Sequence, residues 1–143
     1  MKEKRTRPSW DSYFMDMAVA AANMSTCDRL SVGCVLVKDK RVIATGFNGS
    51  VSGQPHCDEV GHLLSDEGRC IRTVHAEQNA ILQCAKYGIS SEGAYAYVTH
   101  EPCENCTKFL IQAGIKKVFF LHAYPNVYNK HFNQAIEWIH VGE

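Results

Sequence analysis

Two short clusters carry the residues best suited to chemistry in this chain, His75-Ala76-Glu77 and Pro102-Cys103-Glu104-Asn105-Cys106. Cys103 and Cys106 lie three positions apart near an expected helix start, so both sulfurs project from one face. The two thiolates and the His75 imidazole make three protein ligands for zinc and leave the fourth tetrahedral position open. Because structural zinc sites fill all four positions with protein atoms, this set predicts a catalytic zinc.

Glu77 lies two residues past the predicted ligand His75, which places a carboxylate beside the open position. Zinc lowers the pKa of a bound water from about 15.7 to about 7, and a nearby carboxylate can take and redeliver its proton. An alternative is that Cys103 and Cys106 form a redox pair or part of a closed structural site. The proline before them and the His-x-Glu upstream, each at a predicted helix start, favour the catalytic site.

The charge balance bears on the kind of partner. Lys plus Arg and Asp plus Glu number 15 each, so the formal net charge is zero. Proteins that bind nucleic-acid polymers usually carry a basic excess, and the basic cluster at residues 2–7 is interpreted as a solvated end. The balance favours a small substrate over a polynucleotide. No apolar run approaches the roughly 20 residues of a membrane span, and no signal-peptide pattern is found, so we expect a cytoplasmic protein without a membrane partner.

The chain has seven cysteines, an odd number that cannot pair fully within one chain. In a reducing compartment such a count favours metal ligands or catalysis over disulfides. Cys34 and Cys84 fall on apolar stretches and are interpreted as core residues.

The predicted elements alternate between helix and strand. Helical patterns fall at 9–24, at 75–87, from 102 to about 113 and, more weakly, at about 130–139. Strand patterns fall at 31–37 and 41–47, a hairpin about a tight turn, and at 94–99 and 117–121. Residues 48–72, broken by Gly and Pro, predict a long loop. We expect a single α/β domain over 1–143, with helices packed over a mixed sheet.

Six segments carry a family resemblance, one of which extends the first zinc motif: Trp10-Asp-Ser-Tyr-Phe-Met15, Ser31-Val-Gly-Cys34, Thr45-Gly-Phe-Asn-Gly49, His75-Ala-Glu-Gln-Asn-Ala80, Tyr97-Val-Thr99 and Gln112-Ala-Gly-Ile-Lys116. Over about 10–121 the chain resembles the cytidine and deoxycytidylate deaminase family. The similarity is closest to the deoxycytidylate (dCMP) deaminases, which include the bacterial ComE operon protein 2 group and phage members.

The resemblance implies a three-layer α/β/α sandwich about a central mixed five-stranded sheet, and hydrolytic conversion of dCMP to dUMP and ammonia for thymidylate synthesis. It implies one catalytic Zn²⁺ per chain and Glu77 as the proton shuttle between water, cytosine N3 and the leaving amine. It also implies a homohexamer that is activated by dCTP with Mg²⁺ and inhibited by dTTP.

The resemblance assigns Asn48 to the substrate sugar, although Asn48-Gly49 alone is also typical of a turn. Ala76 is assigned to the same substrate site.

Recognition of the 5′-phosphate departs from the family pattern. The family usually has Tyr followed by Arg or Lys near the phosphate, whereas Tyr124 is followed here by Pro125. A phosphate needs charged donors or clustered N–H groups. The candidates are Arg29, Lys130 and Arg72, although each of them taken alone is more typical of an ordinary surface charge.

A second metal site is predicted in the long loop. Cys57, His62 and Cys70 fall within it and Cys27 precedes the first strand, so together they can close a structural zinc. Some family members have such a second zinc, and Cys27 and Cys57 match its cysteines. The alternative is a set of free loop thiols. His56 and the Asp58-Glu59 pair border an effector or Mg²⁺ site, or form a solvated loop.

Three other functions are weighed against dCMP deamination. A deaminase of free cytidine or deoxycytidine is favoured by the missing Tyr-Arg pair, and a polynucleotide deaminase is disfavoured by the neutral charge. A non-catalytic deaminase-like protein for nucleotide binding or competence is disfavoured by Glu77, since a binding protein needs no proton shuttle.

Overall fold

Five strands form one mixed sheet that positions the rest of the molecule. The computed structural model describes residues 6–27, 30–68 and 71–142. The sheet has the order β2-β1-β5-β6-β7, and its strands are β1 (Gly33–Lys38), β2 (Arg41–Phe47), β5 (Tyr95–His100), β6 (Lys117–His122) and β7 (Glu137–His140). β1 runs antiparallel to both β2 and β5, whereas β5, β6 and β7 run parallel. A separate two-stranded sheet pairs β3 (Gly49–Ser50) with β4 (Thr73–Val74).

Helices cover both faces of the sheet. α1 (Trp10–Ala22) lies on one face and α3 (Ala76–Tyr87) and α4 (Glu104–Gln112) on the other. Alternate residues of β1 serve the two cores: Val35 packs with Phe14 and Met15 of α1, and Leu36 packs against the α3 and α4 side. This alternation is the period of a strand buried on both faces. The predicted three-layer α/β/α sandwich with a mixed five-stranded sheet is confirmed.

The hairpin between β1 and β2 closes through two residues in the left-handed region, Asp39 at φ 53° and Lys40 at φ 60°. A two-residue turn of this kind matches the right-handed twist of the strands it joins. The predicted hairpin is confirmed, as are the predicted core positions of Cys34 and Cys84, which are 0% and 2% exposed.

Two segments differ from the sequence-based expectation. The predicted helix at 130–139 is wrong: the chain forms two 3₁₀ turns, Asn129–His131 and Asn133–Ala135, and then β7. The long loop at 48–72 contains β3 and a short helix, α2 (Cys57–Val60), so it is more ordered than expected. Within the part of the chain that the structure describes, no helix is long and apolar enough to cross a membrane.

α3 lies directly against β2 at Gly46. A Cβ on Gly46 would lie 2.6 Å from the backbone nitrogen of Ala80 and closer still to the carbonyl oxygen of Ala76. Only a glycine permits this approach, which seats the first turns of α3 on the sheet. The helix start beside Glu77 is therefore fixed by a backbone contact rather than by a long side chain.

Gly46→Ala is expected to lower the free energy of unfolding by about 3 kcal/mol, because an added methyl group must push α3 off the sheet. Gly49→Ala is the matched control, since its Cβ would meet nothing nearer than 3.6 Å. Urea unfolding of both variants measures the difference. Equal stabilities would mean that α3 can move at no cost.

Candidate active site

Two helix starts meet at the predicted metal site. His75 is the N-cap of α3 and Cys103 is the N-cap of α4, and both have extended backbone angles. The His75 backbone N–H donates to Oε1 of Gln78 at 3.0 Å, which fixes the entry to α3. Cys106 lies in the first turn of α4 and is fully buried. Side chains at such N-termini experience the positive end of the helix dipole, which favours negative charge.

The structure brings His75, Cys103 and Cys106 together as the sequence predicted. The Nδ1 atom of His75 lies 3.3 Å from the Cys106 sulfur and 3.8 Å from the Cys103 sulfur. All three ligand atoms lie within 4.8 Å of one another. An imidazole nitrogen and two sulfurs are the donors that zinc prefers, so the residues fit a zinc ion with one position left for a small molecule.

The two cysteines are electrostatically unequal. Hydrogen bonds from the Cys106 thiol, from His75 and from the Cys106 backbone N–H lower the pKa of Cys103 to about 4. The pKa of Cys106 is raised, first by its hydrogen bond to the Cys103 thiolate and then by burial. Cys103 is therefore a thiolate at neutral pH and suits a metal cation.

Glu77 lies in the first turn of α3, is 4% exposed and reaches the metal cluster. Burial raises its pKa from 4.5 to about 7, although its own backbone N–H and the charge of His75 act in the opposite direction. A carboxyl group with a pKa near neutrality can both accept and donate a proton. Because Glu77 lies beside the cluster of His75, Cys103 and Cys106, its carboxyl group is close to the position that these ligands leave open for a small molecule.

A cleft of about 410 Å³ opens over this cluster. Its lining residues are Cys27, Leu30, Val32, Asn48, Thr73, His75, Ala76, Glu77, His100, Glu101, Cys103 and Tyr124. The predicted substrate residues Asn48, Ala76 and Tyr124 are among them. Lys130 is exposed in the first 3₁₀ turn and is not in this lining, and Arg29 lies outside the described residues.

Asn48 holds one wall of the cleft through its amide group. Its Nδ2 donates to the carbonyl oxygen of Leu30 at 2.6 Å, and its Oδ1 accepts from the Val32 N–H at 2.8 Å. The side chain is 8% exposed, so these bonds form in a protected environment. Asn48 thereby fixes the segment that leads into β1 and is part of the cleft lining.

The predicted second cluster is assembled in three of its four members. The ligand atoms of Cys27, Cys57 and His62 lie within 4.8 Å of one another, with 3.6 Å between the Cys27 sulfur and Nδ1 of His62. Both cysteines are 4% exposed. Cys70, the fourth predicted ligand, lies outside the described residues. His56 contacts Oγ1 of Thr26 at 2.9 Å, which ties the loop to the segment that carries Cys27.

Sequence reasoning missed several residues of the cleft. His100 ends β5 and Glu101 follows it directly before Pro102, and this adjacency to the motif is a signal that could have found them. Thr73, Leu30 and Val32 carry no comparable signal, because only the tertiary fold brings them to the metal cluster.

Taken together, this fold and this three-ligand cluster define a zinc-binding deaminase domain. The family model described as the zinc-binding region of cytidine and deoxycytidylate deaminases matches residues 8–122. The chain belongs to this family, and the resemblance inferred from its motifs is confirmed.

Individual relatives support the same placement. The chain is 53% identical over 118 residues to ComE operon protein 2 of Bacillus subtilis, an alignment that covers 82% of the chain and 62% of that protein. It is 41% identical over 131 residues to the deoxycytidylate deaminase of Schizosaccharomyces pombe, covering 87% of the chain and 40% of that enzyme. The chain thus spans less than two thirds of the length of either relative.

Among solved structures, the chain is similar to the dCMP deaminase of the cyanophage S-TIM5, crystallised in complex with dCMP and dUMP. The TM-score is 0.82 at 30% sequence identity, and the match covers 96% of this chain and 100% of the phage chain. The similarity therefore extends over the whole three-layer fold.

Proposed function

We propose that the protein is a zinc-dependent dCMP deaminase, which hydrolyses dCMP to dUMP and ammonia and so supplies dUMP for thymidylate synthesis. The observation that carries the proposal is the cluster of His75, Cys103 and Cys106 at the floor of the cleft, with the buried Glu77 carboxyl beside it. The similarity to a deaminase crystallised with dCMP and dUMP supports a nucleotide substrate.

In this proposal, His75, Cys103 and Cys106 hold the zinc ion and Glu77 moves the protons. Zinc bound by such ligands lowers the pKa of a water molecule to about 7 and so supplies the nucleophile. Glu77 accepts the proton of the attacking water as its oxygen adds to C4 of cytosine, and delivers that proton to N3. It then takes the proton of the new C4 hydroxyl group and delivers it to the amine, so that the C4–N bond breaks, ammonia leaves and a carbonyl forms at C4. Such proton transfer contributes about 10²–10⁴-fold in rate.

We assign the remaining walls of the cleft to the nucleotide. Asn48 is proposed to present its amide edge to the deoxyribose, and Ala76 and Tyr124 to flank the bound nucleotide. The described lining contains no Lys or Arg, so we propose that cations from outside this lining meet the phosphate. Arg29 and Lys130 are the proposed donors. Arg72, whose Nε donates to the carbonyl oxygen of Gly61 at 3.0 Å, is a third candidate.

The absence of a cation from the described lining favours one alternative, a deaminase of free deoxycytidine or cytidine. The two functions differ in their use of the phosphate. A charge-assisted hydrogen bond contributes about 1.5–3 kcal/mol, so one such bond should raise kcat/KM for dCMP about 10-fold or more over deoxycytidine.

Ammonia release from dCMP, CMP and deoxycytidine tests the assignment. We expect dCMP to be the best substrate, and Arg29→Ala and Lys130→Ala to reduce kcat/KM for dCMP while sparing deoxycytidine. Lys38→Ala is the matched control. The cleft residue Val32 lies just before the first residue of β1, whereas Lys38 is the last residue of that strand and is not in the cleft lining. Equal rates with and without the phosphate would replace the nucleotide by the nucleoside.

We further propose that Cys27, Cys57, His62 and Cys70 bind a second, structural zinc. Two buried sulfurs and an imidazole already converge there, and a fourth soft ligand would complete a closed tetrahedral site. Such an ion would tie the 48–72 segment to the residues before β1. The use of cysteines as metal ligands also supports a reducing, cytoplasmic location.

Assembly and regulation follow the family in this proposal. A groove lined by Ile81, Leu82, Phe109 and Ala113 lies between α3 and α4, and Leu82 and Phe109 are 56% and 47% exposed. An apolar surface of this kind suits contact with another copy of the chain, as a homohexamer would require. Activation by dCTP with Mg²⁺ and inhibition by dTTP are proposed on the family resemblance alone.

A further inference from the structure

The segment 123–132, here called the strap, follows β6 and is tied to the turn that carries Cys103. Three side-chain hydrogen bonds join them: the Tyr124 N–H to Oε1 of Glu101 at 3.1 Å, Nδ2 of Asn126 to Oε2 of Glu104 at 2.6 Å, and Nδ2 of Asn129 to the carbonyl oxygen of Pro102 at 2.8 Å. The far end of the strap also contacts α4, where the Lys108 ammonium lies 5.7 Å from the centre of the Phe132 ring. The strap therefore contacts residues on both sides of Cys103.

Asn129 makes the one fully buried bond of the three. Its side chain is 4% exposed, whereas the bonds of Tyr124 and Asn126 are exposed or partly buried. Its Oδ1 is buried and accepts no hydrogen bond from the described residues. Burial of a half-satisfied amide is unfavourable, because the unpaired oxygen has lost its hydrogen bond to water. The native structure keeps Asn129 at this position despite the unpaired oxygen. We take this to indicate that the bond from its Nδ2 to Pro102 has a role beyond packing.

The Pro102 carbonyl matters because Cys103 needs external support. Cys106 lies within α4 and its direction is set by the helix, but Cys103 is the N-cap and lies outside the helical φ/ψ region. The Pro102 carbonyl belongs to the peptide group that enters Cys103. A hydrogen bond to that oxygen fixes the peptide plane and with it the direction of the Cys103 side chain toward His75.

We propose that Asn129 is a positioning residue that aims the Cys103 thiolate at the metal through the Pro102 carbonyl. The inference rests on the proposed function only in that His75, Cys103 and Cys106 are taken to hold zinc. Partners in the shell outside metal ligands typically change metal affinity by about 10–100-fold when they are replaced. Asn129 is thus assigned to the zinc centre although it follows Cys106 by more than 20 residues.

The test is zinc affinity in Asn129→Asp, which keeps the size of the side chain but replaces the donor to Pro102 by a carboxylate oxygen. Transfer of zinc to a chromogenic chelator is followed, and the phase that disappears in Cys106→Ala identifies the centre. We expect that phase to show about 10–100-fold weaker binding in Asn129→Asp. Asn129→Ser, whose hydroxyl is too short to reach Pro102, should weaken it in the same direction and serves if the charged variant does not fold.

Gln134→Glu is the matched control, since it makes the same amide-to-carboxylate change at an exposed side chain that donates to the Lys130 carbonyl at 2.8 Å. Its zinc affinity should equal that of the unaltered chain. The inference is overturned if the assigned phase is unchanged in a folded Asn129 variant. It is also overturned if the loss of zinc affinity across the variants only follows their decrease in melting temperature, because that result indicates a purely structural role. The readout needs no nucleotide, so failure of the dCMP assay leaves it interpretable.

Discussion

Glu77→Gln is expected to lower kcat for dCMP by about 10²–10⁴-fold while the zinc content stays unchanged. Glutamine keeps the shape of a side chain that is 4% exposed, but it cannot carry a proton between water, N3 and the leaving amine. Because Glu77 is not one of the three proposed ligands, metal analysis should find the same zinc per chain. Ammonia release under single-turnover conditions measures the chemical step directly.

Glu92→Gln supplies the control for this substitution. Glu92 is an exposed residue between α3 and β5, so the same loss of a carboxylate there should leave kcat unaltered. A Glu77→Gln protein that retains zinc and turns over at the original rate would refute the proton-shuttle assignment.

The zinc content of the purified chain is expected to be two ions per chain, and the two ions should be removable separately. Cys106→Ala should retain one zinc and lose ammonia release altogether, because the nucleophile then has the pKa of ordinary water. Cys57→Ala should also retain one zinc but keep the catalytic centre, with reduced stability of the 48–72 segment. Metal analysis by mass spectrometry, combined with the ammonia assay, distinguishes the two variants.

Cys84→Ala is the matched variant for both, since Cys84 is a buried core residue of α3 rather than a member of either cluster. It should keep two zinc ions and its turnover. A single zinc in the unaltered chain would exclude the second site.

The elements nearest the metal cluster were predictable because their signals are local. The apolar period over α3 and the left-handed Gly88 at its end, with φ 69°, define that helix from its own residues. The His75 and Cys103 motifs each coincide with a helix start. The residues that mark the start of each helix are therefore also the ones that mark the metal site. The sequence therefore contained the cluster and the two elements that present it.

The misassigned helix at 130–139 shows where local signals fail. Phe132, Ile136 and Ile139 recur at helical spacing, but pairing with β6 overrides that period. In β7, Trp138 and Ile139 pack toward opposite cores, and the His140 ring stacks on Phe120 at 4.8 Å. Strand preference depends on such neighbours more than on the residues themselves, so it could not be inferred from this segment alone.

Contacts between distant segments were likewise beyond sequence reasoning. Asn129 bonds to Pro102, and the Asn48 amide bonds to the backbone of Leu30 and Val32. No sequence period relates the positions that these bonds join. In both cases the asparagine lies near a turn, where asparagine is common for local backbone reasons, so its type alone does not indicate a long-range contact. The long loop is ordered where Cys57 and His62 meet Cys27, a convergence that the cysteine count suggested but could not locate.

The close approach of α3 to Gly46 restricts how such a cleft could be altered to bind another ligand. A larger side chain at this contact would displace the helix start and with it Glu77, so we expect substitutions there to lower activity. Leu30 and Tyr124 also line the cleft, and their exposed side chains can be exchanged without moving the backbone beneath the metal ligands. Mutational libraries that seek new specificities should therefore sample these two positions and leave the strand–helix contact unaltered.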